Sequence, residues 1–345
     1  MIQANVELSD KNTLRLPATA QWFAQPSSEQ QLQEILNDPS FTPLPRTVIG
    51  DGSNLLFHEN IDGLVIKPAM RGISVIEESS EHVLIEVMAG ENWDQLVDYT
   101  LAQGWQGLEN LSLIPGSVGA APFQNIGAYG VELVDVFESL DAMSVADAQL
   151  RNFSKQQCGF SYRDSFFKSV QPGQWVITRV RLRLNKIEKL TLSYADLAER
   201  FSALAAENQS AHGVRELICA LRRSKLPDPA ELANAGSFFK NPVVSSEKFE
   251  SLQRSFPSIV GYPQPHGAYK LAAGWLIEQA QWKGKREGSV GMHAQQALVL
   301  VNYGGATGAD VMSFAKRVQD SIAEIFSVTL EREPVLLPRA LPKDG

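Results

Sequence analysis

The segment 110–130 has the composition of a loop that binds a ligand through its main chain. It contains Gly116, Gly119, Gly127 and Gly130 together with two prolines, so it cannot form a regular helix or a central strand. Glycine lets the backbone approach a ligand closely, and main-chain N–H groups can then point into a concave anion-binding site. The alternative is a surface loop without chemical importance, but long loops inside compact domains are usually functional or disordered. Because the segment is too apolar to be disordered, we predict a cofactor-binding loop.

A second glycine turn, Gly50–Asn54, follows a short apolar stretch, Thr47–Ile49, that is typical of a buried strand. A strand, a glycine turn and a second apolar run can together hold a pyrophosphate through main-chain N–H groups. The turn matches neither the GxGxxG pattern nor a P-loop, because Leu55 follows Asn54 and no Gly-Lys-Ser/Thr is present. Taken alone it is a weak indication, since tight hairpins use the same residues. Its interest lies in its pairing with the segment 110–130.

Composition narrows the functional classes. The 345 residues, 44% hydrophobic and 20% charged, indicate a globular protein of two or three domains. A net charge of −8 without a long basic run argues against nucleic-acid binding. Cys158, Cys219 and the five histidines form no ligand pattern, so we expect no metal and a reducing, cytoplasmic environment. We also expect no signal peptide and no membrane span.

Periodicity predicts a mixed α+β chain. Helices are expected after the caps Ser28 and Asn92, over 194–224, over 271–281 and over 311–325. Strands are expected near 63–67, 83–87, 176–184 and 297–301. The strand at 176–184 is expected to have one solvent-exposed face. Two prolines within 225–229 predict a boundary, after which a smaller α/β domain begins.

Four further motifs are specific in combination and in this order. They are Ser-Tyr-Arg-Asp-Ser at 161–165, Ala-Gly-Ser-Phe-Phe-Lys-Asn-Pro at 235–242, the stretch 270–277, and Leu-Glu-Arg-Glu at 330–333. With the two glycine segments, they make the chain resemble the UDP-N-acetylenolpyruvoylglucosamine reductase family, the flavoenzymes that complete UDP-N-acetylmuramate for peptidoglycan. The resemblance extends from about residue 12 to about residue 335.

The resemblance implies an α+β fold, in which a two-part FAD-binding domain of the vanillyl-alcohol-oxidase/PCMH type precedes a smaller α/β substrate-binding domain. The implied bounds are 1–226 for the FAD-binding domain, with subdomains at about 1–68 and 69–226, then 227–327 for the substrate-binding domain and 328–345 for a C-terminal segment that returns to the active site.

The resemblance also implies an activity, the NADPH-dependent reduction of UDP-N-acetylglucosamine enolpyruvate on FAD. Hydride delivery to the terminal vinyl carbon sends negative charge into the adjacent carboxylate, which needs stabilisation. Arg163 matches the family's arginine for that charge, and its fork suits a carboxylate. Ser237 matches the proton donor to the other vinyl carbon, and Glu333 matches the glutamate that donates in its protonated form. Since the family usually continues Glu-Val-Arg and this chain reads Glu-Pro-Val, Glu331 stays open as an alternative to Glu333.

Cofactor and substrate contacts follow from the same resemblance. FAD contacts are expected at Gly50, Gly52, Ser53, Asn54, Pro115, Gly116, Ser117, Gly119, Gln124, Asn125, Gly127 and Ala128. Substrate contacts are expected at Tyr162, Tyr194, Lys225, Asn241, Tyr262, Lys270 and Gln296, with Tyr194 on a loop that closes over the substrate and the two lysines on its diphosphate. Covalently flavinylated relatives carry histidine where this chain has Ser53, so FAD is expected to be non-covalent. Asp51, beside the pyrophosphate, must point outward or meet a donor.

Two other functions stay open. One is a flavin oxidase of the same fold that passes electrons to oxygen, and the other is a non-catalytic FAD- or nucleotide-binding protein. Arg163, Ser237 and Glu333 argue against both, because neither needs a carboxylate clamp with an acid. The expected protein is a monomeric cytoplasmic enzyme with a small-molecule substrate, without nucleic-acid or membrane partners.

Overall fold

The structure, a computed structural model, describes residues 2–339. The chain divides into two compact units. The first comprises the described residues up to Val6 with Ala20–Gly52 and Ile61–Ser224, and the second comprises Glu7–Thr19, Ser53–Asn60 and the described residues from Lys225. Residues 340–345 of the expected C-terminal segment lie outside the described residues. The linear domain bounds stay a prediction, and no local pattern indicated that the two short N-terminal segments belong with the second unit.

Helices and strands are mixed along the chain, which confirms the α+β prediction. The helices are α1 (Glu29–Asn37), α2 (Trp93–Ala102), α3 (Ala195–Ser202), α4 (Ala211–Lys225), α5 (Ser246–Ser255), α6 (Ala273–Gln279) and α7 (Gly308–Phe326). The strands are β1 (Ile2–Glu7), β2 (Thr19–Ala24), β3 (Arg46–Val48), β4 (Leu55–Phe57), β5 (Ile61–Ile66), β6 (Ile73–Glu78), β7 (His82–Met88), β8 (Gly127–Ala128), β9 (Val131–Glu132), β10 (Phe137–Ser144), β11 (Leu150–Ser154), β12 (Trp175–Asn185), β13 (Ala233–Ser237), β14 (Val243–Ser245), β15 (Gly261–Pro263), β16 (Ala268–Leu271), β17 (Arg286–Glu287), β18 (Val290–Met292), β19 (Val299–Asn302) and β20 (Val335–Leu337).

Two larger sheets form the first unit. One has the strand order β1-β2-β5-β3, and both β2 and β3 run parallel to β5. The other has the order β11-β10-β12-β7-β6 with antiparallel neighbours throughout. In β12 the predicted alternation is confirmed: Val180, Leu182 and Leu184 are buried, while Arg181 forms ion pairs with Asp141 on the opposite face. Burying one face of β12 fixes its register, because a one-residue slip would expose the whole apolar set.

The helices predicted after the caps Ser28 and Asn92 are confirmed, and two other helix predictions differ from the structure. Ser28 accepts a hydrogen bond from Gln31 N at the start of α1, and Asn92 accepts one from Gln95 N at the start of α2. The continuous helix expected over 194–224 is wrong, because Ser210 begins a separate helix, α4. Similarly, residues 268–271 form β16, and the helix expected over 271–281 is the shorter α6.

The second unit carries shorter sheets. One has the order β13-β19-β18-β17, another β14-β16-β15, and β4 pairs in parallel with β20. A capping box of Thr307 and Asp310 begins α7, which buries Val311, Phe314 and Val318 as its amphipathic pattern predicted. Within residues 2–339, no helix is long and apolar enough to cross a membrane. The same residues contain no cluster of three or more His, Cys, Asp or Glu side chains that could hold a metal ion.

Candidate functional site

In the first unit, the start of the Gly50–Asn54 turn lies against segment 110–130. A Cβ atom added at Gly50 would lie 2.9 Å from Ala120 Cβ and 3.2 Å from Ser117 Oγ. Both separations are shorter than ordinary van der Waals contact, so the turn needs glycine at this position. Gly52 has a φ of 75°, which glycine adopts without strain. The close packing brings the main chain of both segments to one place, as a pyrophosphate cradle requires.

Segment 110–130 folds as short turns rather than as one open loop, and part of its main chain is used internally. Val118 N donates to Glu91 O at 2.8 Å, and Gly119 N donates to Ala89 O at 2.9 Å. These two N–H groups therefore do not face a ligand. Gly119 is required for packing, because an added Cβ would lie only 2.5 Å from Ala89 Cβ. The Gly119 N–H is therefore not available to a phosphate, and its contact with FAD stays a prediction.

Asn125 also acts from inside the protein. Its side chain is fully buried, and its backbone is left-handed with a φ of 46°. Nδ2 donates to Glu132 Oε2 at 2.8 Å and to Ser161 O at 3.2 Å, while Oδ1 accepts from Val134 N at 3.0 Å. The Asn125 amide therefore joins the glycine-rich segment by a hydrogen bond to Ser161, the first residue of the turn that contains Arg163.

The carboxylate in the first glycine turn has a partner. Asp51 Oδ1 lies 2.9 Å from Lys67 Nζ. This ion pair confirms the expectation that Asp51 meets a donor. The turn therefore places no uncompensated negative charge beside an anionic ligand.

Arg163 reaches the glycine-rich segment from a tight turn. Ser161 and Asp164 exchange main-chain hydrogen bonds of 3.1 Å across this turn, and Arg163 between them has a φ of 57°. Left-handed backbone at a non-glycine residue costs about 1–3 kcal/mol and is concentrated at functional sites. The guanidinium Nη2 donates to Gly127 O at 2.7 Å, and the Tyr162 ring lies 5.5 Å from Arg163 Cζ. Arg163 and Gly127, predicted separately from the sequence, therefore meet in the structure.

Tyr194 precedes the first residue of α3, makes no capping hydrogen bond with its side chain and is 43% exposed. Its ring meets the Tyr129 ring edge to face, with centroids 5.4 Å apart. Tyr129 belongs to the glycine-rich segment, so Tyr194 lies beside that segment while much of its surface faces solvent.

Arg222 is a candidate site residue that the sequence reading missed. It lies on α4 four positions after Ile218, on the face that also buries Leu221. Burial lowers the pKa of its guanidinium, and Nε has no hydrogen-bond partner among residues 2–339. Its charge also interacts with that of Arg163. An arginine at the helical spacing of Val214 and Ile218 was the available signal.

In the second unit, Ser237 and Glu333 lie on adjacent stretches of chain. Glu333 N donates to Phe238 O at 2.9 Å. Strand β13 has a register shift between Asn234 and Ser237, and Gly236 within it has a φ of 68°. Such a bulge re-aims the side chains beside it, and Ser237 is exposed here. Ser237 therefore lies in a strand and does not cap a helix.

Asn54 joins the same part of the second unit. Its Nδ2 donates to Glu333 O at 3.3 Å, and Val335 N donates to Asn54 O at 3.0 Å. Glu331 is exposed and forms an ion pair of 3.0 Å with Lys240, whereas Glu333 is partly buried. Burial and position next to Ser237 favour Glu333 over Glu331 as the acid.

The expected substrate contacts divide between the units. Tyr162 and Tyr194 belong to the first, and the others belong to the second. Tyr262 in β15 lies directly opposite Lys270 in β16, so their side chains share one face of that sheet. Asn241 Oδ1 accepts a hydrogen bond of 2.9 Å from the first residue of α6. The two remaining expected substrate contacts are Lys225, at the end of α4, and Gln296, which is partly buried, and both lie elsewhere in the second unit. Ser53, an expected FAD contact, accepts a hydrogen bond of 3.4 Å from Thr13 Oγ1 through its main-chain oxygen.

Two protein-family models match the chain. A model described as FAD binding domain matches residues 20–154. A model described as UDP-N-acetylenolpyruvoylglucosamine reductase, C-terminal domain, matches residues 228–337. The first match confirms a FAD-binding domain of the predicted type, and it begins just after the first segment that belongs to the second unit.

Individual proteins match over nearly the whole chain. A UDP-N-acetylenolpyruvoylglucosamine reductase from Pseudomonas fluorescens is 51% identical over 97% of this chain and 98% of its own length. The enzyme of the same name from Alcanivorax borkumensis is 52% identical over 97% of this chain and 96% of its own length. Among solved structures, UDP-N-acetylenolpyruvylglucosamine reductase from Thermus caldophilus superposes with a TM-score of 0.68 at 23% identity, covering 98% of this chain and 99% of that one. That structure supports the fold.

Proposed function

This chain belongs to the UDP-N-acetylenolpyruvoylglucosamine reductase family, and we propose that it converts UDP-N-acetylglucosamine enolpyruvate to UDP-N-acetylmuramate with NADPH as hydride donor. The protein is an FAD-dependent oxidoreductase of peptidoglycan synthesis. The observation that carries the proposal is similarity to these reductases over 97% of the chain. We further propose a monomeric enzyme in the cytoplasm, where both nucleotide substrates are found.

The residues of the two glycine segments fit the phosphates of a dinucleotide. Gly50 and Gly52 allow close main-chain approach, and Lys67 compensates the charge of Asp51. We propose that the 50–54 turn and the 115–128 segment hold FAD without a covalent bond, since Ser53 is not the histidine of flavinylated relatives. When bound, FAD supplies the hydride chemistry, accepting a hydride from NADPH and passing it to the enolpyruvyl group.

Arg163 is proposed to hold the substrate carboxylate as negative charge develops on it. Its Nη2 is fixed to Gly127 O at 2.7 Å, so one edge of the guanidinium is anchored. A planar donor that is fixed before the reaction stabilises developing charge without reorganising. Arg222, whose charge interacts with that of Arg163, adds a second cation to this part of the first unit.

Ser237 is proposed to donate a proton to the substrate carbon that does not receive the hydride. A serine hydroxyl is a poor acid, so its position has to compensate. The β13 bulge exposes Ser237, and the main-chain bond from Glu333 to Phe238 keeps the carboxylic acid on the neighbouring stretch. Glu333 would then donate to the substrate in its protonated form. Lys270 and Tyr262, paired on one sheet face, are proposed for the UDP group.

Separating the two half-reactions tests the proposal. The holoenzyme is reduced by NADPH without oxygen, and the enolpyruvyl substrate is then added while stopped-flow absorbance follows the flavin band. Reoxidation of flavin without oxygen is expected. Reoxidation that requires oxygen would instead favour an oxidase, and absence of reduction would favour a binding protein.

Variants then assign the roles. Ser237→Ala is expected to leave reduction by NADPH near its normal rate and to slow the second half-reaction by roughly 10²-fold or more, the scale of a lost general acid. Ser237→Cys should keep partial activity, because a thiol can still donate. Arg163→Ala should also impair the second half-reaction, through lost charge stabilisation and weaker substrate binding. An unslowed second half-reaction in Ser237→Ala would remove Ser237 from the mechanism.

A further inference from the structure

A buried amide, that of Asn110, joins the segment carrying Tyr194 to the glycine-rich segment. Asn110 is only 1% exposed. Its Nδ2 donates to Tyr129 O and to Thr191 O, both at 2.9 Å. One side-chain amide thus binds two stretches of chain that lie 19 and 81 positions away from it. We propose that Asn110 is a positioning residue, which holds Tyr194 where it contacts the substrate.

The two stretches are packed as well as hydrogen-bonded. A Cβ added at Gly130 would lie 2.1 Å from Ser193 Oγ, so the chain before Tyr194 lies directly on the glycine-rich segment. The Tyr194 ring meets Tyr129, whose main-chain oxygen is one of the two acceptors for Asn110. These contacts hold the main chain on one side, and the tyrosine ring stays 43% exposed to meet a ligand.

This stretch lies outside regular secondary structure and joins α3 only at its end, where Tyr194 O accepts a hydrogen bond of 2.9 Å from Ala198 N. Between the end of β12 at Asn185 and the start of α3 at Ala195, residues 186–194 form neither helix nor strand. Leu190 and Leu192 pack on the cluster that α3 and α4 bury, but apolar contacts are non-directional. The paired hydrogen bonds from Asn110 are directional, and they therefore select one position for Thr191 and, three residues later, for Tyr194.

A quantitative consequence follows. The apparent dissociation constant of a ligand rises in inverse proportion to the fraction of protein in the competent conformation. If loss of the Asn110 bonds lowers the docked fraction to about one tenth, substrate binding weakens about tenfold. The inference rests on the proposed function for one point only, the contact between Tyr194 and substrate.

The test compares two matched substitutions in the holoenzyme. Asn110→Asp keeps the shape but replaces both N–H donors by an acceptor that faces two carbonyl oxygens. Asn12→Asp is the control, because buried Asn12 likewise donates from Nδ2 to two carbonyls, Leu8 O at 2.8 Å and Leu16 O at 3.0 Å. Three quantities are measured for each: the thermal midpoint, the KM for the enolpyruvyl substrate, and hydrogen exchange of amides 190–194.

Both variants should lose thermal stability, but only Asn110→Asp should raise KM by roughly tenfold, with kcat little changed and with faster exchange at 190–194. An unchanged KM and unchanged exchange in Asn110→Asp would overturn the proposal, as would equal KM effects in both variants. If Asn110→Asp does not fold, Asn110→Ser, which keeps one donor and adds no charge, takes its place. A wild-type enzyme inactive on the enolpyruvyl sugar would contradict the proposed function instead, and the exchange measurement, which needs no substrate, would still decide the role of Asn110.

Discussion

Gly119→Ala should weaken FAD binding although residue 119 directs no main-chain donor at the cofactor. The added Cβ would lie 2.5 Å from Ala89 Cβ, 3.1 Å from Ala89 Cα and 3.2 Å from Ala89 O. Ala89 cannot move away from the added atom, because it is only 1% exposed. Its main-chain N–H also donates a hydrogen bond of 2.9 Å to Thr178 O in β12. The segment around residue 119 must therefore move away, by about 1 Å if ordinary carbon–carbon contact is to be restored.

The displacement has two energetic consequences. Overpacking of a buried contact costs about 1–3 kcal/mol of stability. The neighbouring residues Ser117 and Ala120 contact the Gly50 turn, so the shift reaches both halves of the cradle. A movement of about 1 Å takes a hydrogen bond of ordinary length beyond its range. Loss of one hydrogen bond to a charged phosphate costs about 1.5–3 kcal/mol, which corresponds to FAD binding weaker by roughly 10- to 150-fold.

Titration of the apoprotein with FAD, followed by flavin fluorescence, measures this loss. The double variant Ala89→Gly/Gly119→Ala removes the atom at 2.5 Å and should recover most of the affinity. Gly104→Ala is the control, because Gly104 has a φ of 75° and an added Cβ would meet no atom within 4 Å. It should reduce stability through backbone strain and leave FAD affinity unchanged. Wild-type affinity in Gly119→Ala, or no recovery in the double variant, would refute the steric explanation.

Three further outcomes are expected. Tyr194→Phe should raise the KM for the enolpyruvyl substrate and leave FAD reduction by NADPH largely intact, whereas equal damage to both half-reactions would make Tyr194 a packing residue. Lys67→Gln should weaken FAD binding, because it leaves the charge of Asp51 uncompensated beside the phosphates. The double variant Lys67→Gln/Asp51→Asn should restore the affinity for FAD. The free energy of unfolding should change by less than about 1 kcal/mol, because the ion pair is partly exposed. Burial raises the pKa of Glu109. Between the ordinary and the raised pKa, the folded protein therefore binds more protons than the unfolded chain. Stability is consequently lost as the pH rises through that window. The free energy of unfolding of Glu109→Gln relative to wild type, measured by denaturant titration, should therefore increase as the pH rises from the ordinary pKa of 4.5 through the raised one, and a constant difference would contradict this assignment.

Elements governed by local chemistry could be predicted from the sequence. The start of α1 follows from the Ser28 cap, and β12 follows from strict alternation of apolar and charged side chains. The interruption between α3 and α4 was missed because helical periodicity continues on both sides of it, while Ser210 begins the second helix. Such a cap inside a periodic stretch is easily read as a surface residue.

Non-local contacts account for the rest. The glycine content of the two segments predicted a cofactor cradle, but the need for Gly119 depends on Ala89, which lies at the end of β7 and carries no motif. Arg222 shares the helical spacing of the apolar residues of α4, but exposed arginines also occur at such positions, and its burial is what distinguishes it. Motifs therefore predicted the candidate site residues, and packing decides which of these residues face outward and which hold others in place.

The pairing of β4 with β20 also sets the order in which the chain completes its fold. Asn54 and Glu333, which are hydrogen-bonded beside that pair, are 279 positions apart. At synthesis rates of about 5–20 residues per second, β4 waits roughly 15–55 s for its partner strand to be made. During that time β4 is an unpaired strand edge, and Asn54 lacks the hydrogen bond that Glu333 later provides. Truncation shortly before residue 330 would therefore affect more than the C-terminal segment. Strand β4 would lack its partner strand, and Phe238 O would lack the hydrogen bond from Glu333 N.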